Sequence, residues 1–340
     1  MQNQLDKSNF RQMLIDSPDQ FEVGFELAAP VLLPGHFTSV TISGMGGSAL
    51  PGNLFRVYLN DLFRGDASRR PLAIYQNRSY DLPPESYDKC LNFICSYSGN
   101  TEETITSFQE ALAHRLPCVG FSSGGIVETM CRDHDVPHVK LPIPTPDFQP
   151  RVGTGYFFGA MFRVLVNQGL VPDTLREILR GAEHIKQVLP EIEKEGQALA
   201  ERLKGKTPVI YASTKYKSVA MIWKIKLNEN AKTPAFWNYF PELNHNEMVG
   251  FTLPQAKFVI VMLRDPDDHP KNLKRFEVTA ELLREKGADV VTLDIFGETV
   301  FTKMFRSIAV GDFASYYLAL AYGIDPTPVQ MVEDLKKMLV

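Results

Sequence analysis

ICSYSGNTEETI, residues 94–105, runs from apolar residues into Ser96, Ser98, Gly99, Asn100 and Thr101, and then at once into Glu102 and Glu103. The stretch before it, CLNFICS (90–96), has the length and composition of a buried strand, and TEETITSFQEALAHR (101–115) carries apolar residues at helical spacing. A helix starting near Thr101 leaves its first backbone N–H groups without partners, at the positive end of the helix dipole and beyond the strand end. Hydroxyls from Ser96, Ser98 and Thr101 add neutral donors, and Gly99 lets the backbone come close. That combination suits a dianionic phosphate ester. An ordinary cap, with Ser98 or Asn100 as N-cap and Glu102 and Glu103 favouring the dipole, fits as well. The cap alone does not account for three hydroxyls in six residues.

Working outward, strand-like and helix-like segments alternate. Residues 2–28 read as one or two opening helices with Phe10, Met13, Leu14, Phe21, Phe25 and Leu27 as apolar positions. Strands are predicted at 39–45, 71–77, 90–96, 117–123 and 138–143, with helices over 48–62, 101–115 and 124–134. PIPTPDFQPR (142–151) holds four prolines in ten residues and predicts a domain boundary, separating 1–150 from 151–340. A helical region over 154–203, broken near Pro172, opens the second half. Strands at 208–213, 257–263 and 289–295 then alternate with helices over 217–231 and 269–287, and two more helices close the chain. The pattern predicts an α/β protein of two related domains, each a mainly parallel sheet flanked by helices.

The bulk composition fits that architecture. The chain has 340 residues, 44% hydrophobic and 22% charged, enough for two cores, and a formal charge of -4 that gives no sign of a nucleic-acid binder. The longest apolar runs, such as FVIVML (258–263), are strand-sized, and the opening MQNQLDKSNFRQM has no secretory pattern, so neither membrane nor export is expected. Cys90, Cys95, Cys118 and Cys131 form no paired motif and read as reduced thiols of a cytoplasmic protein. Cys131, His134 and His138 have a spacing that could ligate zinc on a helix, but Pro137 and the lack of a fourth ligand favour a polar loop.

A second glycine turn, SGMGGSA (43–49), follows the first strand. Gly44, Gly46 and Ala49 match the outline of a dinucleotide fingerprint. The next strand, however, ends in Gln76, Asn77 and Arg78 rather than the acidic residue that would hold a ribose hydroxyl, so no dinucleotide cofactor is expected.

The strand–SGNTEET–helix segment resembles the phosphosugar loop of the sugar isomerase (SIS) domain, and GMGGSA (44–49) resembles the other turn of that site. Across most of its length the chain resembles the bifunctional phosphoglucose/phosphomannose isomerase family. The resemblance implies two SIS domains and a phosphate site at Gly46, Gly47, Ser48, Ser96, Ser98 and Thr101. It further implies aldose–ketose isomerisation without metal or cofactor. Periodicity alone does not choose among Glu229, Glu242 and Glu247 in KLNENAKTPAFWNYFPELNHNEMVG (226–250). The family pattern makes Glu229, of N-E-N-A-K, the catalytic base, and His245, of N-H-N, the group that opens the sugar ring. It also implies a homodimer in which His245 reaches the neighbouring subunit's site. Arg151, at the end of the proline-rich junction, is implied to stabilise the enediolate, and a lysine of the closing helix to face the site, with Lys336 preferred over Lys337. A threonine near that helix, for which Thr327 is the candidate, is associated with the mannose specificity.

Two other readings compete. A non-catalytic phosphosugar-binding regulator would keep the serine loop and could dispense with Glu229, Arg151 and His245, all of which are present. A glucosamine-phosphate synthase needs an N-terminal domain with a nucleophilic cysteine, which does not appear in the sequence.

Overall fold

The computed structural model describes residues 4–64 and 71–339; residues 2–3 of the predicted opening helices and the last residue of the second predicted domain lie outside that range. The chain forms two compact units, one of residues 16–186 and the other of residues 1–15 and 187–340. Within the described residues each unit is built on a wholly parallel sheet.

In the 16–186 unit the strands are β1 (Ser39–Gly44), β2 (Ala73–Asn77), β3 (Cys90–Cys95), β4 (Cys118–Ser122) and β5 (His138–Lys140), in the order β2-β1-β3-β4-β5. Strands β1 and β3 are buried along their whole length; β3 accordingly reads as a nearly continuous apolar run, whereas β1 buries Ser39, Thr41 and Ser43 between its apolar residues. Helices α2 (Gln20–Leu27), α3 (Gly46–Leu62), α4 (Glu102–Ala113), α5 (Gly125–Asp133), α6 (Thr154–Asn167) and α7 (Leu175–Gln187) surround the sheet, following α1 (Phe10–Ile15) of the other unit. The chain leaves β1 for β2 on one side and returns for β3 on the other. In an open parallel sheet such a reversal leaves a crevice at the carboxyl ends of the two strands.

The second unit repeats the plan with β6 (Thr207–Ser213), β7 (Phe236–Phe240), β8 (Phe258–Arg264) and β9 (Asp289–Asp294), ordered β7-β6-β8-β9. Its helices are α8 (Leu189–Leu203), α9 (Lys217–Ala231), α10 (Pro270–Glu285), α11 (Val300–Ala321) and α12 (Gln330–Met338). A core of Tyr211, Phe240, Leu243, Ile260, Met262 and Phe276 lies between the sheet and α10. Its reversal point falls between β6 and β8.

The units do not divide at the proline-rich segment. Helix α6 stays with the first sheet because Phe158 packs on Phe21 of α2 and Phe55 of α3, with ring centroids 5.9 and 4.6 Å away. Helix α1 goes with the other unit: Phe10 stacks on Tyr316 of α11, and Arg11 makes a two-pronged ion pair with Glu193 of α8 at 2.5 and 2.6 Å. The compact boundaries are therefore at Ile15/Asp16 and Lys186/Gln187, where 150/151 was predicted. Strand β7 also went unread in the sequence.

Candidate functional site

At the β1/β3 reversal point two helices begin with bare ends. The residue before α3, Met45, and the residue before α4, Thr101, both have extended backbone and neither side chain caps its helix. Thr101 is the N-cap residue, where Ser98 or Asn100 was the sequence alternative, and its hydroxyl is used elsewhere: it lies 2.8 Å from the Ser96 hydroxyl. The Thr101 amide donates to the same Ser96 oxygen at 3.3 Å, and the Asn100 amide to the Ser98 hydroxyl at 3.2 Å. The initial N–H groups of both helices thus retain the capacity to bind an anion, backed by two helix dipoles.

The two turns are tied to each other. The amide of Tyr97 donates to the Ser48 hydroxyl at 3.0 Å, joining the loop after β3 to the first turn of α3. Gly99, at φ +72°, lies so close to Gly124 that an added Cβ would sit 1.8 Å from its carbonyl oxygen, so the serine loop is seated on the start of α5. Tyr97 also donates its hydroxyl to the Pro142 carbonyl at 2.5 Å and packs on Phe148 and Phe157. That fixes the proline-rich segment over the same end of the sheet. Its last residues press on α3, since a Cβ on Gly47 would meet the Pro150 carbonyl carbon and the Arg151 nitrogen at 2.8 Å. Gly46, Gly47, Ser48, Ser96, Ser98, Thr101 and Arg151 are in this way assembled on one unit. Arg151 is only 2% exposed, and its guanidinium donates to Gln149 at 2.9 Å. The Arg151 backbone lies against the first turn of α3, and the two uncapped helix N-termini favour negative charge at this end of the sheet.

The features that could have signalled other cofactors are spent within the fold. Gln76 donates to the Ala49 carbonyl and to Asn53, and Arg78 also donates to Asn53, so both turn back onto α3. The His138 ring nitrogen Nε2 lies 2.8 Å from the Ser122 hydroxyl, and burial lowers the imidazole's proton affinity. All four cysteines are buried and unbridged, and burial pushes the Cys118 and Cys131 thiols up to about 12.

The remaining candidates belong to the other unit. Glu229 lies on the last turn of α9, partly exposed, between side chains that turn inward: Lys226 pairs with Asp312 of α11 at 2.7 Å and Asn230 donates to Ser315 at 2.9 Å. The helix stops at Lys232, in left-handed backbone at φ +51°, whose ammonium donates to the carbonyls of Asn230, Asp325 and Pro326 at 3.1, 3.0 and 2.8 Å. The base candidate's helix is thereby tied to the segment that holds buried Thr327 and leads to α12. His245 is exposed on the turn after β7. Lys336 and Lys337 are both exposed on α12, paired with Glu333 at 2.8 Å and Asp334 at 3.9 Å. The sequence reading overlooked Lys232, which stood in the quoted N-E-N-A-K, and weighed Glu247, two residues past His245, only as an alternative carboxylate.

These features define a class: two parallel sheets of SIS type, one of them carrying an anion cradle at its reversal point. A family model described as the bacterial phospho-glucose isomerase C-terminal SIS domain matches residues 192–339. A bifunctional phosphoglucose/phosphomannose isomerase of Caldicellulosiruptor bescii is 33% identical over 336 residues, covering 95% of this chain and 96% of the relative. A D-glucosamine-6-phosphate 4-epimerase of Sulfolobus acidocaldarius is 29% identical over 255 residues, 74% of this chain and 76% of that protein. The crystal structure of tagatose-6-phosphate ketose/aldose isomerase from Escherichia coli shares the fold, with a TM-score of 0.67 at 12% identity and 94% of each chain covered. The chain belongs to the family of bifunctional phosphoglucose/phosphomannose isomerases.

Proposed function

We propose that the protein interconverts glucose 6-phosphate, and also mannose 6-phosphate, with fructose 6-phosphate through an enediol. The observation that carries this reading is the cradle at the β1/β3 reversal point, where two uncapped helix N-termini, three loop hydroxyls and Arg151 favour a phosphate ester. The phosphate rests on Gly46, Gly47, Ser48, Ser96, Ser98 and Thr101. His245 passes a proton to the ring oxygen as the C1–O bond breaks, and takes back the proton that the anomeric hydroxyl gives up as C1 becomes the aldehyde. Glu229 then takes the C2 proton; the C–H electron pair forms the C1–C2 double bond and the carbonyl oxygen becomes the enediolate. Arg151 stabilises that charge, Lys336 hydrogen-bonds a substrate oxygen, and Glu229 returns its proton to C1 as the C2 hydroxyl proton passes to the enediolate oxygen on C1 and C2 becomes the ketone. General-base catalysis of this kind contributes about 10²–10⁴-fold. The exposed position of His245 supports the further reading that it serves the neighbouring chain of a homodimer. The buried thiols suit a reducing cytoplasm.

The test is a coupled assay of fructose 6-phosphate turnover to glucose 6-phosphate and, separately, to mannose 6-phosphate, on wild type and Glu229→Gln, with and without EDTA. We expect EDTA-resistant activity on both sugars that drops about 10²–10⁴-fold in the variant. Phosphosugar binding without turnover would move the reading to a regulator. Turnover of glucosamine 6-phosphate alone would move it to an epimerase.

A further inference from the structure

We propose that Glu247 is a positioning residue for His245, an inference that rests on the ring-opening role given to His245 above. An acid or base on an exposed turn works only if the turn is held within hydrogen-bond reach of the reacting oxygen. The turn after β7 is held from several sides. Leu243 is fully buried in the core. Asn244 donates to Thr279 of α10 at 2.8 Å and accepts from Arg275 at 3.1 Å. Asn246 donates to Glu242 at 2.9 Å and accepts the Glu247 amide at 2.6 Å.

Glu247 supplies the tie to the sheet. One carboxylate oxygen accepts the Tyr211 hydroxyl, from β6, at 2.6 Å, and the other accepts the Asn238 side chain, from β7. Tyr211 has no exposure to solvent, so this carboxylate is the partner that its hydroxyl needs. The two bonds come from adjacent paired strands, where Tyr211 and Asn238 stand in register. Glu247 therefore locks the turn to two strands just past His245, without itself touching substrate.

A purely structural role, satisfying the Tyr211 hydroxyl, predicts loss of stability alone. Positioning predicts more. In Glu247→Gln the amide oxygen can still accept from Tyr211, but the amide nitrogen faces the Asn238 donor; Asn238→Asp in the same chain restores a donor–acceptor pair. On full-length protein we expect Glu247→Gln to lower kcat for fructose 6-phosphate at least tenfold, with KM within about twofold and the melting temperature nearly unchanged. The double variant should recover kcat to within about threefold of wild type. Amide hydrogen exchange across 242–252 should accelerate in the single variant and not in the double, while β6 and β8 stay protected. Unchanged kcat and exchange in Glu247→Gln would overturn the proposal, as would equal damage in both variants. If the wild-type chain shows no isomerase activity, the functional reading fails separately, and the exchange comparison alone decides whether Glu247 locks the turn.

Discussion

At Gly47 a single added methyl would collide with backbone, 2.8 Å from atoms of Pro150 and Arg151, whereas at Gly46 it would meet nothing within 4 Å. The two neighbouring glycines are thus required for different reasons: Gly46 for its left-handed backbone at φ +48°, Gly47 for the approach of Arg151. Gly46→Ala should cost about 1 kcal/mol of backbone strain. Gly47→Ala should cost about 1–3 kcal/mol of overpacking and push Arg151 from its place. Thermal melts with fructose 6-phosphate kinetics distinguish them, because only Gly47→Ala should lose far more activity than its stability loss explains. Equal effects would mean that Arg151 is not held through Gly47. This division was half legible. GMGGSA marked a tight turn after a strand, but the contact with Arg151, about a hundred residues later, depends on tertiary packing that no local pattern encodes. Glu229 and His245 were singled out by resemblance, since a glutamate near a helix end and a lone histidine carry no distinguishing period of their own.

Among the elements, the fully buried central strands and the amphipathic helices were readable because their apolar content is set by burial on the sheet. β7 was not. Its five residues, FWNYF, lie between Pro234 and Pro241 on the edge of the sheet, where one side of the strand has no pairing partner among the described residues. A short aromatic edge strand looks locally like part of a site loop. The loop after β8 makes a sharper case. Asp265 is buried, and burial pushes its carboxyl up, but Lys303 at 2.7 Å, the Asp267 amide at 3.1 Å and Lys215 at 3.4 Å outweigh this and hold it below the usual carboxylate range. A carboxyl with a depressed folded-state pKa adds stability that is complete above the unfolded pKa, about 4, and is lost as pH falls through the folded value. Denaturant midpoints measured from pH 7 down to pH 3 should therefore fall on the acid side in wild type. Asp265→Asn should be less stable at pH 7, by about 3 kcal/mol because buried Lys303 loses one of its two carboxylates, and should show a shallower acid decline. Parallel pH curves for the two proteins would remove Asp265 from the account.

On the scale of the whole molecule, two sheets with one plan raise the question of why both should not bind phosphate. The first reversal point presents uncapped helix ends, Ser48, Ser96 and Thr101, and no carboxylate in the loops that form it between residues 44 and 48 or 96 and 101. At the second, the loop after β6 brings Lys215 and the loop after β8 brings Asp265, with Lys303 of α11 bonded to Asp265 and Asp267 at 2.7 and 2.6 Å. A buried carboxylate already neutralises the cations there, and a phosphate dianion would have to displace it against its own charge. Sequence alternation alone made the halves look equivalent; the difference lies in which charges the folded loops bring together. The chain should accordingly bind one phosphosugar per copy. Amide hydrogen exchange with saturating fructose 6-phosphate should slow at residues 45–49 and 96–104 and remain unchanged at 213–217 and 265–269. Titration calorimetry should give one site per chain for wild type and for Asp265→Asn alike, since removing that acid still leaves Asp267 paired with Lys303 in the same loop. A second equivalent site in wild type, or protection of the β6 and β8 loops, would show that Asp265 does not close the second crevice to phosphate.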